Sequence, residues 1–384
     1  MADLSVEFLG LKLRSPIMAA SAGITGNAER LKRAQDHGVG SVIMKTAFQE
    51  PLMANSPTPR FAIIQRKAGT NRSTTLYSYE QGYEYGIEAY CEEIRKAKRS
   101  LEIPIIASIG GLDDETWVKW GRMVEEAGAD ALELNLSCPH GAIVLHQTNH
   151  IAEVIDHNVR LMKRTLGIPI IAKMTPQMSD PAVVARLAQE AGADAVTMFS
   201  RFPGLDIDVN TEEAVLHGGT AGHGGPWAIH YALYWINLVH PGLSIPISGC
   251  GGVLNGEDVV KYVLAGSTTI QTAMAIIMQG YEVIDRLNRE LGEWMDRHGY
   301  ATLGDFRGAV NRKVKTMAQV AREKTVRARI DEAKCNGCGL CERVCIYFAI
   351  GHDGKTYRVG EKCDGCGLCP QLCPQNCIAM VPRG

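Results

Sequence analysis

The chain has 384 residues, of which 46% are hydrophobic and 21% charged, and a formal net charge of −2. This composition excludes a disordered or low-complexity chain, and the near-neutral balance argues against nucleic acid as the main partner. No apolar run approaches the roughly 18 residues of a membrane span, and the opening MADLSVEFLGLK has no basic n-region followed by an apolar stretch, so neither a spanning helix nor a secretory signal is expected.

Along the chain, short Ile/Val-rich runs bounded by Gly or Pro predict strands at 17–21, 41–46, 103–109, 131–137, 168–174, 195–201, 245–251 and 268–274. Helical patterns with charged faces lie between most of them, such as DDETWVKWGRMVEEAG and DPAVVARLAQEAG. Several of these end alike, in DHGVGSV, EAGADAL, EAGADAV and LAGSTTI, where Gly suits a left-handed helix end and the next strand follows within a few residues. Eight such units favour an α/β fold of the (β/α)8 TIM-barrel type over residues 1–300, with a doubly wound open sheet as the alternative. Residues 47–83 are too long for an ordinary loop and leave the C-terminal end of the second strand, which in a barrel is the active-site face. Residues 280–300 read as a last barrel helix. The basic stretch 311–329 reads as part of a helical linker, 301–330, either merely solvated or a docking surface for an acidic electron partner.

Nine of the 12 cysteines fall in the last 50 residues. Such clustering points to a small metal domain, residues 331–384, made in a reducing, cytoplasmic compartment rather than to a disulfide framework. The spacing Cys335-x2-Cys338-x2-Cys341-x3-Cys345, repeated as Cys363-x2-Cys366-x2-Cys369-x3-Cys373-Pro374, is that of a ferredoxin-like domain with two [4Fe–4S] clusters. Three closely spaced thiolates wrap one cube and the fourth comes from the other run. Cys373 therefore completes the set of Cys335, Cys338 and Cys341, and Cys345 that of Cys363, Cys366 and Cys369. A pair of zinc sites is the alternative. Ile346 stands where a Pro usually follows the fourth cysteine, and Cys377 has no place in the pattern. Two clusters pass single electrons, so the barrel needs a cofactor that takes electrons singly and works with pairs, and flavin is the obvious one.

The predicted fourth strand ends in Asn135, Ser137, Cys138 and His140, polar residues at a barrel mouth. Lys45 and Lys173 interrupt apolar strands near their ends, which suits contact with an anionic cofactor. Gly249–Gly252 follow the seventh strand and Ala273–Met274–Ala275 the eighth, the usual barrel phosphate position. No GxGxxG follows a first strand and no Walker A is present, so no dinucleotide fingerprint appears.

NLSCPH at 135–140, IIASI at 105–109, AKMTP at 172–176 and GCGG at 249–252 resemble the dihydroorotate dehydrogenase-like flavin barrels, and within them the flavin and iron–sulfur portion of dihydropyrimidine dehydrogenases. The resemblance spans essentially the whole chain. It implies FMN in the barrel mouth, with Lys173 against the flavin's N1/O2 edge and Lys45 and Thr46 near flavin and substrate. Gly251, Gly252, Ala273 and Met274 are implied around the phosphate, and Ala20, Ser21, Gly23, Gly224 and Gly225 along the flavin's border. Asn135 is implied to bind substrate and Cys138 to act as general acid/base, with Ser137 and His140 beside it. It also implies an electron donor, either a separate NAD(P)H-dependent flavoprotein subunit or a ferredoxin, in a homo- or hetero-oligomer.

The likeness weakens at the substrate pocket. Where the pyrimidine enzymes carry an Asn-Thr pair, this chain has Thr197-Met198-Phe199-Ser200-Arg201. The segment after Cys138 differs, and 74–86 supplies Tyr, Ser and Glu in place of another Asn. Arg201 calls for an anion, either the substrate, with Ser200 alongside, or a protein carboxylate such as Asp206 or Asp208. The expected function is an FMN-dependent oxidoreductase of an activated, anionic, cyclic C=C compound. An ordinary dihydropyrimidine dehydrogenase catalytic subunit and an electron-transfer subunit without chemistry of its own are the alternatives.

Overall fold

The structure, a computed structural model, describes residues 2–49, 60–65, 74–80, 82–136, 151–216, 221–320, 322–354 and 356–383. It divides into two compact units, Met1–Val314 and Lys315–Gly384.

All eight expected runs form strands: β1 (Ile17–Ala19), β2 (Ser41–Ile43), β3 (Ile105–Gly110), β4 (Ala131–Asn135), β5 (Ile170–Met174), β6 (Ala195–Met198), β7 (Ile247–Cys250) and β8 (Thr269–Thr272). Each pairs in parallel with the next, and β8 pairs back with β1 through Ile270 opposite Ile17. The sheet is therefore a closed (β/α)8 barrel, not an open one.

Local chemistry explains the alternation. Asn27, Asp113, Asp180 and Asn255 precede the helices after β1, β3, β5 and β7, and each side chain accepts a first-turn backbone N–H. At the other end, Gly38, Gly128, Gly192 and Gly266 take positive φ, which turns the chain into the following strand.

Residues two apart on a strand share a face. Ile43, Ile106, Ala131, Ile171 and Ala195 point into the lower barrel, where Phe8 and Leu13 of an N-terminal hairpin (Val6–Phe8 and Leu11–Leu13) join them. Two residues further along, the inward positions become polar: Glu133 on β4, Lys173 on β5 and Thr197 on β6, all buried. The barrel is thus apolar at its base and charged towards its mouth.

The long segment after β2 contributes to a second, antiparallel sheet of four strands. Phe61–Gln65 pairs with Thr74–Ser78, which pairs with Ala221–Gly224, which pairs with Phe202–Gly204. Connections after β2 and β6 are thereby zipped together beside the mouth.

In the second unit Val326–Ile330 pairs with Ile378–Pro382, and Ile350–His352 with Tyr357–Val359. Two short helices, Leu340–Arg343 and Leu368–Leu372, each lie within a cysteine run and carry its third cysteine, Cys341 or Cys369. Among the described residues of 301–330 the expected α-helix does not form. The segment has a 3-10 turn at Leu303–Asp305, further turns, and the strand Val326–Ile330. Val314, Met317 and Val320 are exposed, so a helix here has no apolar face to bury. Val326–Ile330 instead gains a strand partner and turns Ala328 inward.

Candidate active site and iron–sulfur centre

A pocket with about 1220 Å³ of space not filled by protein atoms, its open mouth included, lies at the C-terminal ends of the barrel strands. Two ion pairs organise it. Lys173 Nζ lies 2.8 Å from Glu133 Oε1. The other oxygen, Glu133 Oε2, accepts hydrogen bonds from Thr197 Oγ1 and Gln271 Nε2, each at 2.9 Å. Nearer the rim, Lys45 Nζ lies 3.2 Å from Glu80 Oε2, which also accepts the Gly23 N–H at 3.0 Å. Burial alone would push the Glu80 carboxyl up, but Lys45, the Gly23 N–H and Arg201 outweigh it and hold the group below its ordinary value.

Asn135 donates to Thr46 Oγ1 at 2.9 Å, and Thr46 in turn meets the hydroxyls of Ser21 and Ser108, each at 2.9 Å. Arg201 donates from its two terminal nitrogens to the carbonyls of Ser78 at 3.2 Å and Glu80 at 3.3 Å. Gly222 makes room for it, since a Cβ there would come within 2.7 Å of the guanidinium carbon. Among the described residues Arg201 forms no ion pair with Asp206 or Asp208; its hydrogen bonds go to the carbonyls of Ser78 and Glu80. The wall beyond Arg201 is aromatic: Phe202 packs against Tyr231 and Trp227 at 5.4 and 5.3 Å, and Phe199 against Tyr231 at 5.2 Å. Burial keeps the His223 imidazole below its ordinary pKa, partly offset by the Phe202 carbonyl. Burial also pushes the Cys250 thiol up to about 11, so it stays protonated.

Of the residues singled out from sequence, Ala20, Ser21, Lys45, Thr46, Asn135 and Lys173 line this pocket. So do Ser200, Arg201, Gly224, Gly225, Gly251, Gly252, Ala273 and Met274. Gly23 does not; it borders the adjacent cleft and is held by Glu80. Ser137, Cys138 and His140 lie outside the described residues. Glu133 and Gln271 were not singled out. The signal for Glu133 was present, since a Glu at 133 and an Asn at 135 fall on one face of β4 while Leu132 and Leu134 fall on the other.

The pocket suits FMN. Asn135 Oδ1 and Gln271 Oε1 are buried acceptors without a hydrogen-bond partner among the described residues, on side chains that line it. Lys173 supplies a cation. Gly251 and Gly252 adopt φ of +113° and +73°, and a Cβ on Gly252 would meet the Ile229 backbone nitrogen at 2.6 Å, so only glycine brings the chain this close.

In the second unit, Cys335, Cys338, Cys341 and Cys373 surround one cavity, together with Cys377. Among the described residues no three Cys, His, Asp or Glu side chains converge on a single ion; these sulfurs ring a space instead. Gly337 and Gly339 in the first run, and Gly365 and Gly367 in the second, share φ near +71° to +76°. The two runs thus fold alike. The Gly337, Ala349 and Ala328 amides point at the sulfurs of Cys335, Cys345 and Cys363, at 3.5, 3.3 and 3.5 Å. The ninth thiol, Cys377, lies 3.4 Å from the Cys373 sulfur.

A family profile described as dihydroorotate dehydrogenase matches residues 3–295. The chain belongs to the dihydroorotate dehydrogenase family. It is an FMN flavoprotein and an oxidoreductase acting on CH–CH bonds. A profile described as 4Fe-4S binding domain matches residues 328–351. The chain is 30% identical over 355 residues to the NAD-dependent dihydropyrimidine dehydrogenase subunit PreA of Escherichia coli K12, covering 89% of this chain and 85% of that one. It is 30% identical over 306 residues to the dihydroorotate dehydrogenase B (NAD(+)) catalytic subunit of Pyrococcus abyssi, covering 79% and 98%. It is 32% identical over 309 residues to dihydroorotate dehydrogenase A (fumarate) of Limosilactobacillus reuteri, covering 79% and 96%. No helix among the described residues is long and apolar enough to cross a membrane.

Proposed function

We propose that this protein interconverts an anionic, cyclic C=C compound and its dihydro form, with Cys138 as general acid/base and electrons carried by two [4Fe–4S] clusters. The observation that carries this reading is the convergence of Lys45, Asn135, Lys173 and Arg201 on one pocket whose far wall is aromatic. FMN, when bound, supplies the two-electron hydride chemistry. The chain's own residues do the rest. Lys173 offers a cation to the electron-rich edge of the flavin. Gly251, Gly252, Ala273 and Met274 receive the phosphate. Asn135 orients the substrate, and Cys138 delivers a proton to the carbon beside the one that receives hydride, or removes it in reverse. A thiol with an ordinary pKa near ~8.5 does either near neutrality.

Arg201 selects the anion. A guanidinium carries five N–H donors, and the Ser78 and Glu80 carbonyls engage one each of its two terminal nitrogens. Its remaining donors suit a carboxylate. Phe199 and Phe202 favour a flat ring. In the tail, Cys335, Cys338, Cys341 and Cys373 hold one cluster, and Cys363, Cys366, Cys369 and Cys345 the other. The electron source is a separate NAD(P)H-dependent flavoprotein subunit or a ferredoxin, in a cytoplasmic oligomer. The names of two relatives, a "subunit" and a "catalytic subunit", support a divided enzyme. The same first relative favours a second reading, reduction of a neutral pyrimidine, because its similarity extends over most of this chain.

A flavin-reoxidation screen separates the two. Carboxylated unsaturated rings should reoxidise the reduced protein, and Arg201→Gln should weaken their binding at least tenfold. Uracil or thymine turning over well, with indifference to Arg201→Gln, would establish the pyrimidine reading instead.

A further inference from the structure

The barrel interior holds a carboxylate that the proposed chemistry does not use. Glu133 is fully buried, does not itself line the pocket, and makes three tight contacts. One oxygen takes the Lys173 ammonium at 2.8 Å. The other takes the Thr197 hydroxyl and the Gln271 amide, each at 2.9 Å, and that amide also lies 2.9 Å from the Thr197 hydroxyl. These groups come from four strands, β4, β5, β6 and β8, and all face inward.

Packing alone does not call for this arrangement. A fully desolvated ion pair is weak evidence for stability, and apolar side chains of similar size often serve as well. The lower barrel shows such a solution, with Ala131, Ile171 and Ala195 one inward position earlier on three of these four strands. The charges appear only where the barrel meets the pocket. There Lys173 and Gln271 line the cavity, and Gln271 presents a buried Oε1 without a partner among the described residues. By taking the Gln271 amide, Glu133 leaves that oxygen to receive a donor from the cofactor.

We infer that Glu133 is a positioning residue that sets both the place and the effective charge of Lys173 beside the flavin. Anchored by Thr197 and Gln271, it fixes the ammonium on the pocket wall. It also cancels most of the positive charge that would otherwise stabilise electron-rich, reduced FMN over oxidised FMN. The pair holds the flavin potential below the value that an unpaired Lys173 would set. The inference rests on FMN occupying this pocket.

The test uses the full-length protein and the FMN midpoint potential, read from flavin absorbance after subtraction of the cluster signal. Glu133→Gln keeps the shape and removes the charge. It should favour reduced over oxidised FMN about tenfold more than the parent does, an upward shift of about 30 mV for a two-electron couple. Lys173→Met should shift the potential downward and weaken FMN binding. Combining the two changes should recover at least tenfold in FMN affinity over Lys173→Met, because the buried charge left behind is gone. An unchanged or lower potential in Glu133→Gln, with Lys173→Met not rescued by it, overturns the inference. Where Glu133→Gln retains no FMN, the double variant decides: tighter FMN binding than in either single variant supports the coupling, and equal loss in all three overturns it. A parent protein purified without FMN would remove the cofactor assignment itself, which is a separate result.

Discussion

At the scale of single residues, charge placement governs the pocket. Glu80 joins three segments of the barrel face: Gly23 after β1, Lys45 after β2, and Arg201 after β6, the last through the Glu80 carbonyl and the nearby charge. Its carboxyl is held below its ordinary value, so the stability it contributes is present above the unfolded carboxyl pKa. That stability fades as pH falls through the lower folded value. Melting temperature followed from pH 7 to acid should therefore decline, and Glu80→Gln should flatten that part of the decline while lowering stability at neutral pH. An identical pH profile in both proteins would remove the linkage. Cys138 is predicted to matter differently. Cys138→Ala should keep FMN and the clusters yet lose at least ~100-fold in turnover, the lower end for a general acid/base. A near-normal rate would move the proton donor elsewhere, with His140 next to examine.

At the scale of elements, the turns after strands do the positioning. The β7 turn passes so close to the helix Ile229–Val239 that a Cβ at Gly252 would sit 2.6 Å from the Ile229 nitrogen, and its φ of +73° is left-handed. The left-handed conformation costs an L-residue roughly 1–2 kcal/mol before any clash. Gly252→Ala should lower the melting temperature and weaken FMN at least tenfold, because the turn must move off the cofactor to relieve the contact. Retained affinity, measured by flavin fluorescence on the apoprotein, would show that this turn does not bear on the phosphate. The basic stretch before the cysteine domain shows the opposite behaviour. Among its described residues no α-helix forms, and the regular element after Val314 is the strand Val326–Ile330, with Lys324 engaged by Asp364.

At the scale of the whole molecule, the barrel carries no nicotinamide fingerprint, while the second unit repeats one four-cysteine fold twice. Protein purified without oxygen should contain about eight irons and eight acid-labile sulfides per chain, together with one FMN. Zinc in place of iron, or four irons, would remove the two-cluster assignment. NADH or NADPH alone should reduce the isolated chain slowly, and a flavoprotein subunit or ferredoxin should reduce it fast. Rapid-mixing absorbance distinguishes these, and fast reduction by a nicotinamide alone would place the donor site on this chain.

The barrel strands were legible because their information is local. An Ile/Val run bounded by Gly or Pro defines one strand wherever it occurs, four of them led in by a left-handed glycine, and eight in succession leave a closed parallel sheet as the simplest way to bury them. The 4Fe-4S character of the first cysteine run was legible for the same reason, since its spacing is a property of neighbouring residues. Contacts across long separations were not. Nothing near Thr74–Ser78 announces Ala221–Gly224 as its partner, and only that pairing brings Ser78 and Glu80 to Arg201. In the sequence Glu133 is one charge in an apolar strand, and closure of the barrel places Lys173, Thr197 and Gln271 around it. Side-chain alternation says which face a residue takes, but the groups it meets there come from other strands, and their register is set by the closed sheet as a whole.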